Sequence, residues 1–422
     1  MKTNQNPHNK DKKTVMLFLP ELHPVPDIKG GSVELMITHL LNENEKYNKL
    51  RFVVISLYDE DAEKIKFRNS KIYYYKDGWI VDNSIRRMKP FWIPCFFFMK
   101  IREKLFGSKH KDKSKRVNYS ELERKLFQCL YMAKKEHAET LVFENFYYPD
   151  SYPKIIQYFG KHNTYLHVHY HREEVLSERL LVPNSISISK FVRDEWAKNK
   201  SVSGKNEVLY NCIDPQKYDI SLTEAERNNR RASLGINSDD IAVVFCGRFI
   251  AQKGIKELLD AFDLLHNYHI KLILIGCYSY TLKNVTEYSK TVAARAESMD
   301  NVIYLGYVPN SIIQDYYSIS DMMVIPSIWQ EGAGLVTIEG MASGLPLIIT
   351  NSGGMVEYVN DDCAVIVPID NDLPQNLAKQ IIRLAEDKPL RQKMGTAGKI
   401  QAKRFNPKTY YDNYVRIVSD NR

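Results

Sequence analysis

Two α/β domains, each built on a parallel sheet, are predicted by three features of this sequence. Short β-branched or apolar runs alternate with longer helical stretches along the whole chain, the pattern that parallel strands and their crossover helices leave. The length of 422 residues suits two hydrophobic cores of ordinary size better than one. A second full series of strands and helices starts after Asp214-Pro215, where the residue before proline is pushed towards extended backbone. With 44% hydrophobic and 26% charged residues, the composition is that of a folded globular protein and not of a disordered one.

In the first half, Val15–Leu19, Phe52–Leu57, Ile72–Tyr75, Leu141–Phe143, Tyr165–His169 and Ser185–Ile188 read as strands. In the second half the strands are Ala242–Cys246, Lys271–Ile275, Val302–Leu305, Met322–Ile325, Leu347–Thr350 and Ala364–Val367. Between them, Ile255, Leu258, Leu259, Phe262 and Leu265 fall at helical spacing. The expected division is a first domain over 1–214, a second over 215–407, and a C-terminal helix over 408–422 returning to the first.

Met1 to Lys13 is almost wholly polar and the apolar run after it is too short for a signal-peptide core. No stretch approaches the roughly 18 apolar residues a membrane span needs. The six cysteines (Cys95, Cys129, Cys212, Cys246, Cys277, Cys363) are scattered without a Cys-x-x-Cys pair. That pattern argues for reduced, mostly structural thiols in a cytoplasmic protein and against a cysteine zinc site. The net charge of +8 is concentrated: Ser84 to Arg116 holds eleven Lys/Arg against two acids. No nucleic-acid-binding motif accompanies it. Aromatics set against cations in Phe91–Met99 and its flanks suit contact with an anionic membrane surface. A packed apolar piece followed by a solvated tail is the other reading, and Pro90 and Pro94 interrupt any clean amphipathic helix.

The chemistry-bearing stretch runs from Ser327 to Pro346, between two expected strands. Gly332 and Gly334 allow close backbone approach, and a helix beginning near Leu335 offers unpaired amides to a phosphate. Glu331 stands just outside that helix and Glu339 lies one turn inside it, so two carboxylates flank the anion site and can accept from sugar hydroxyls. A second element, Gly247-Arg248 through Lys253-Gly254, leaves the first strand of the second domain and enters a helix. Read alone, the first is a glycine-rich turn with two acids and the second a solvated basic turn.

Together these motifs resemble the family-four retaining glycosyltransferases, also called glycosyl transferases group 1. The resemblance spans nearly all of Val15 to Tyr414, is strongest from Ala242 to Val367, and leaves 76–116 as an unmatched basic and aromatic insertion. It implies the GT-B fold, two Rossmann-like domains facing across a cleft. It also implies that Glu331 meets the donor sugar, Glu339 the ribose, Arg248 and Lys253 the diphosphate, and the main chain near Val308 the base. Asp27-Ile28-Lys29-Gly30-Gly31 is similar to the double glycine that reaches the donor phosphate in the family, and differs from the Gly-x-Gly-x-x-Gly dinucleotide fingerprint. His167, His169 and His171 alternate on one expected strand; three imidazoles on one face can bind metal, but the resemblance implies that His169, or failing it His171, lies beside the reacting sugar. Glu144-Asn145 ends a neighbouring strand. Ser352-Gly353-Gly354 with Glu357 also fits the family, and fits a plain glycine turn equally well. Cys212 replaces the glycine usual after Asn211, which puts the local turn in question.

The resemblance thus implies retaining transfer of a hexose or N-acetylhexosamine from a nucleoside diphosphate sugar, UDP-linked by preference, to a glycan or lipid-linked acceptor in cell-surface polysaccharide synthesis. No cofactor, metal or nucleic acid is expected. The expected location is the cytoplasm; docking at the inner face of the plasma membrane is one of the two readings of the basic segment. A sugar-nucleotide epimerase or hydrolase, and a non-catalytic nucleotide-sugar binder, are the alternative readings.

Overall fold

The computed structural model describes residues 12–19, 23–76, 79–80, 119–145, 152–169, 184–198, 204–277 and 286–420. His171 and the basic segment of 84–116, with its membrane-docking reading, lie outside the described residues. The chain divides into two compact units. The first comprises Met1–Ser187, Trp196–Glu207 and Tyr411–Arg422; the second comprises Ile188–Glu195 and Val208–Tyr410. The division thus falls between Glu207 and Val208, six residues before Asp214, and Ile188–Glu195 count with the second unit.

The first unit carries β1 (Thr14–Phe18), β2 (Arg51–Leu57), β3 (Ser70–Lys76), β4 (Trp79–Ile80), β5 (Thr140–Glu144), β6 (Thr164–Val168), β7 (Asn184–Ser187) and β8 (Asn206–Val208). They form one sheet in the order β4-β3-β2-β1-β5-β6-β7-β8. The pairs from β3 through to β7 are parallel, and β4 returns antiparallel on β3. β1 sits between β2 and β5, so the connections leave it in opposite directions. That is the topological switch point, where α/β proteins place ligands at the carboxyl ends of the strands.

The second unit carries β9 (Ile241–Cys246), β10 (Ile270–Ile275), β11 (Val302–Gly306), β12 (Met322–Ile325), β13 (Leu347–Thr350) and β14 (Ala364–Val367). Their order is β11-β10-β9-β12-β13-β14, all parallel. Here the switch point lies between β9 and β12. Successive residues of β9 alternate between two cores: Ala242 and Val244 pack into one, Val243 and Phe245 into the other. Both faces of the sheet are therefore covered, which is why these strands read as unbroken apolar runs. All the strands expected from the sequence are present within two residues at either end, and the short β4 and β8 were not foreseen. No helix among the described residues is long and apolar enough to cross a membrane.

The last helix, Pro407–Ser419, delivers its end to the first unit. Tyr411 donates its hydroxyl to Asn44 Oδ1 at 2.7 Å and accepts from the Lys49 amide at 3.0 Å. The Tyr414 ring lies 6.0 Å from that of Phe52, and both are fully buried. Truncating a buried aromatic costs about 3–5 kcal/mol. Tyr414→Ala is therefore expected to destabilise the first unit by that amount in denaturant unfolding, and a loss below about 1 kcal/mol would contradict this packing.

Candidate functional site

The second unit's switch point is built by two loops that touch. After β9 the chain turns through Gly247 and Arg248, makes the short helical turn Ala251–Lys253, and enters the helix Ile255–Leu264 through Gly254. Gly254 has φ 66°, and a Cβ there would come within 1.9 Å of the Pro326 carbonyl oxygen, directly after β12. Only glycine permits this approach. It lets the Ile328 amide donate to the Gln252 carbonyl at 3.0 Å. It also puts Lys253 Nζ 2.6 Å from Glu331 Oε1.

Glu331 is held from three sides. Ser327 Oγ donates to Oε1 at 2.8 Å, the Glu331 amide donates to Ser352 Oγ at 3.2 Å, and the Gly354 amide donates to the Glu331 carbonyl at 2.7 Å. The Ser352-Gly353-Gly354 turn is thus a wall of this loop. Sequence reasoning gave no role to Ser327 or Ser352, although both lie in the motifs it singled out. Glu357, in the same turn, accepts from the Lys190 and Phe191 amides at 2.8 and 2.7 Å and from Tyr210 Oη at 2.9 Å.

The helix Leu335–Ala342 begins where the sequence predicts. Its N-cap, Gly334, supplies no side-chain hydrogen bond; the Thr337 amide turns back to the Gly334 carbonyl at 3.1 Å, which leaves the amides of Leu335 and Val336 available to an anion. The Thr337 hydroxyl in that turn is buried without a hydrogen-bond partner among the described residues. Glu339, one turn in, accepts from the Tyr317 hydroxyl at 3.0 Å. Burial pushes its carboxyl above the usual range, and hydrogen bonds from Tyr317 and Tyr218 act against that shift. Neither tyrosine was foreseen, because both come from segments remote in sequence. Arg248 is exposed and has no ion-pair partner among the described residues. Val308 is buried just beyond β11. Cys212, the departure from the family's glycine, is buried as a core side chain.

Residues 226–401 match the family model described as Glycosyl transferases group 1, a span that contains Arg248, Lys253, Val308, Glu331, Gly332, Gly334, Leu335 and Glu339. The chain carries a glycosyl transferases group 1 domain. Its fold is GT-B: a solved Anabaena protein, in complex with UDP, is similar with a TM-score of 0.65 at 16% identity, over 96% of this chain and 99% of that one. An uncharacterised glycosyltransferase of Methanocaldococcus jannaschii is 30% identical over 42% of this chain and 44% of its own length. The lipopolysaccharide 1,2-N-acetylglucosaminetransferase of Salmonella typhimurium is 32% identical over 32% of this chain and 36% of its own length. The matched stretches thus span under half of either relative.

In the first unit, β1 is followed by the Gly30-Gly31 turn, which opens the helix Ser32–Tyr47. Gly30 has φ 75°. A Cβ on Gly31 would lie 1.9 Å from Glu34 Oε2. Both glycine amides are already engaged, donating to Asp27 Oδ1 at 2.8 and 3.1 Å. In this conformation they close the turn and are not free for a phosphate. At the ends of β5 and β6, Glu144, His167 and His169 come together with potential ligand atoms within 4.8 Å of one another. Glu144 Oε2 lies 2.7 Å from His169 Nε2 and 2.9 Å from His167 Nδ1. His169 stands one residue past the strand that the sequence assigns it to.

Glu34 is buried, and its Oε1 accepts from the His23 amide at 2.7 Å. Burial raises its carboxyl to about 7; Asp27 and Glu144 add to the shift, and that amide opposes it. A raised folded-state value means the folded protein holds this proton more tightly than the unfolded chain. Stability from this group is therefore present below the unfolded carboxylate range and is lost as pH rises through about 7. Glu34→Gln, which keeps the neutral shape, is expected to flatten that loss by up to about 3 kcal/mol between pH 5 and 8. Parallel stability curves for the two proteins over that window would contradict the assignment.

Proposed function

We propose that this protein is a retaining glycosyltransferase that moves a hexose or N-acetylhexosamine from a nucleoside diphosphate sugar, with UDP favoured, to a glycan or lipid-linked acceptor in cell-surface polysaccharide synthesis. The observation that carries the reading is the second unit's switch point. There one cation is ion-paired to Glu331, a second is free among the described residues, and an uncapped helix start lies between two carboxylates. The UDP bound by the Anabaena protein and the lipopolysaccharide substrate class of the Salmonella relative support the choice of donor and acceptor.

The diphosphate binds at the amides of Gly334–Val336 and at Arg248, which neutralise the charge that grows on the departing nucleotide. Lys253 adds a second positive charge and fixes Glu331, whose carboxylate accepts from hydroxyls of the donor sugar. Glu339 is aimed by Tyr317 and takes the ribose hydroxyls. Positive charge from Arg248, Lys253 and the helix start does the work that a divalent cation would otherwise do, so transfer proceeds without metal. His169, in the first unit, serves the reacting sugar.

Because the two glutamates meet different parts of one donor, their losses differ in kind. Glu339→Ala is expected to weaken binding of free UDP by about tenfold, the loss of one charged hydrogen bond. Glu331→Ala leaves free UDP affinity nearly unchanged while suppressing transfer. Isothermal titration with UDP in the presence of EDTA, paired with a transfer assay, checks both the assignment and the metal independence. Equal loss of UDP affinity in the two variants, or loss of wild-type activity to EDTA, would overturn them.

A further inference from the structure

Glu144 ends β5, and the parallel register pairs it with His167 of β6. His169 follows two residues later, so both imidazoles reach the same carboxylate. The three side chains are almost wholly enclosed, at 1%, 1% and 5% exposure for Glu144, His167 and His169. The two rings pack with centroids 3.9 Å apart, which restricts rotation of either. The His169 backbone is pinned as well, its amide donating to Asn145 Oδ1 at 2.8 Å.

The protons follow from this geometry. Burial disfavours charge on Glu144, but the His167 and His169 contacts outweigh it and hold the carboxyl at about 2. Burial, and then His167, push His169 down to about 4, with Glu144 acting in the opposite direction. At neutral pH the pair is therefore a carboxylate beside a neutral imidazole. A carboxylate can only accept, so the 2.7 Å contact requires the proton to sit on His169 Nε2. The second ring nitrogen, Nδ1, then carries a lone pair, and no hydrogen bond to it occurs among the described residues.

We propose that Glu144 is a positioning residue that fixes His169 as its Nε2-protonated tautomer, so that Nδ1 accepts a hydrogen bond from a neutral sugar hydroxyl. The surroundings select against an anionic ligand. Glu34, from the helix after β1, interacts electrostatically with both Asp27 and Glu144. Tyr414, from the C-terminal segment, is held protonated by burial with Glu144 adding to the effect. His167 completes the set. A phosphate or uronate would meet the Glu144 carboxylate and a lone pair here, whereas a hydroxyl has the one proton that Nδ1 needs. The ligand class rests on the transferase reading above, while the tautomer rests on the 2.7 Å contact to the enclosed Glu144 carboxylate and on the neutral ring that burial favours.

The test is a long-range nitrogen–proton correlation spectrum of the full-length protein carrying ¹⁵N-histidine, at pH 7. We expect His169 protonated at Nε2 only, with no stoichiometric zinc in the sample. Protonation at Nδ1, a doubly protonated ring, or one tightly held zinc per chain would overturn the proposal. In Glu144→Gln the amide can accept or donate, so the tautomers are expected to mix. kcat then falls about 10- to 100-fold, the usual scale for losing a partner that orients a histidine, while UDP affinity holds. Glu144→Asp, which keeps the carboxylate, should recover part of that loss. Mixed tautomers with unchanged kcat would overturn the functional half. If Glu144→Gln fails to fold, the wild-type spectrum still decides the tautomer. A correct spectrum in a protein that transfers no sugar would count against the transferase reading and not against the tautomer.

Discussion

Gly254 and Pro326 touch where the loop after β9 meets the loop after β12, and the rest of the second unit's switch point follows from that approach. A parallel sheet with covered faces leaves only its strand ends open to ligands. β9 and β12 are neighbours whose connections diverge, so their loops alone could have splayed apart. The left-handed glycine lets them close, the Ile328–Gln252 backbone bond fastens them, and Lys253 then reaches Glu331. Magnitudes suggest what this ion pair is for. Its side chains keep 25% and 15% exposure, and pairs of that kind add at most about 1 kcal/mol to stability. Its value is positional: it sets a carboxylate and a cation beside an uncapped helix start.

The first unit obeys the same rule with different chemistry. Its switch point collects acids and imidazoles: Asp27, Glu34, Glu144, His167 and His169. Buried charges are tolerated only when paired or neutralised. Glu144 is paired with two imidazoles, whereas Glu34, with one amide and two acidic neighbours, is pushed towards its neutral form. Asp27 is satisfied by the amides of Gly30 and Gly31. A corner of this character suits neutral hydroxyls, whereas the second unit's exposed Arg248 and uncapped helix start suit an anion, as the proposed function requires.

Much of this was legible in the sequence. The strands of β9, β12 and β13 were found because burial on both faces produces unbroken apolar runs, and the helix start at Leu335 was found because Gly332 and Gly334 mark it. Two things were hidden, and a third was legible but overlooked. Gly254 looks like an ordinary glycine until the fold brings Pro326 against it. Tyr317 and Tyr218 reach Glu339 from segments 22 and 121 residues away in number, a contact no local pattern announces. The Gly30-Gly31 turn resembles a phosphate-binding loop, yet Asp27 three residues earlier takes both amides. An acidic residue that close before a glycine pair was a readable signal of self-capping.

The central claim is that the second unit's switch point binds the diphosphate of a nucleotide sugar. A crystal structure of the protein soaked with UDP tests it most directly. The account predicts phosphate density at the amides of Gly334–Val336 with Arg248 turned onto it, and the ribose hydroxyls on Glu339. Phosphate density lodged instead at the Gly30-Gly31 turn, with the Leu335–Ala342 helix start left empty, would contradict it.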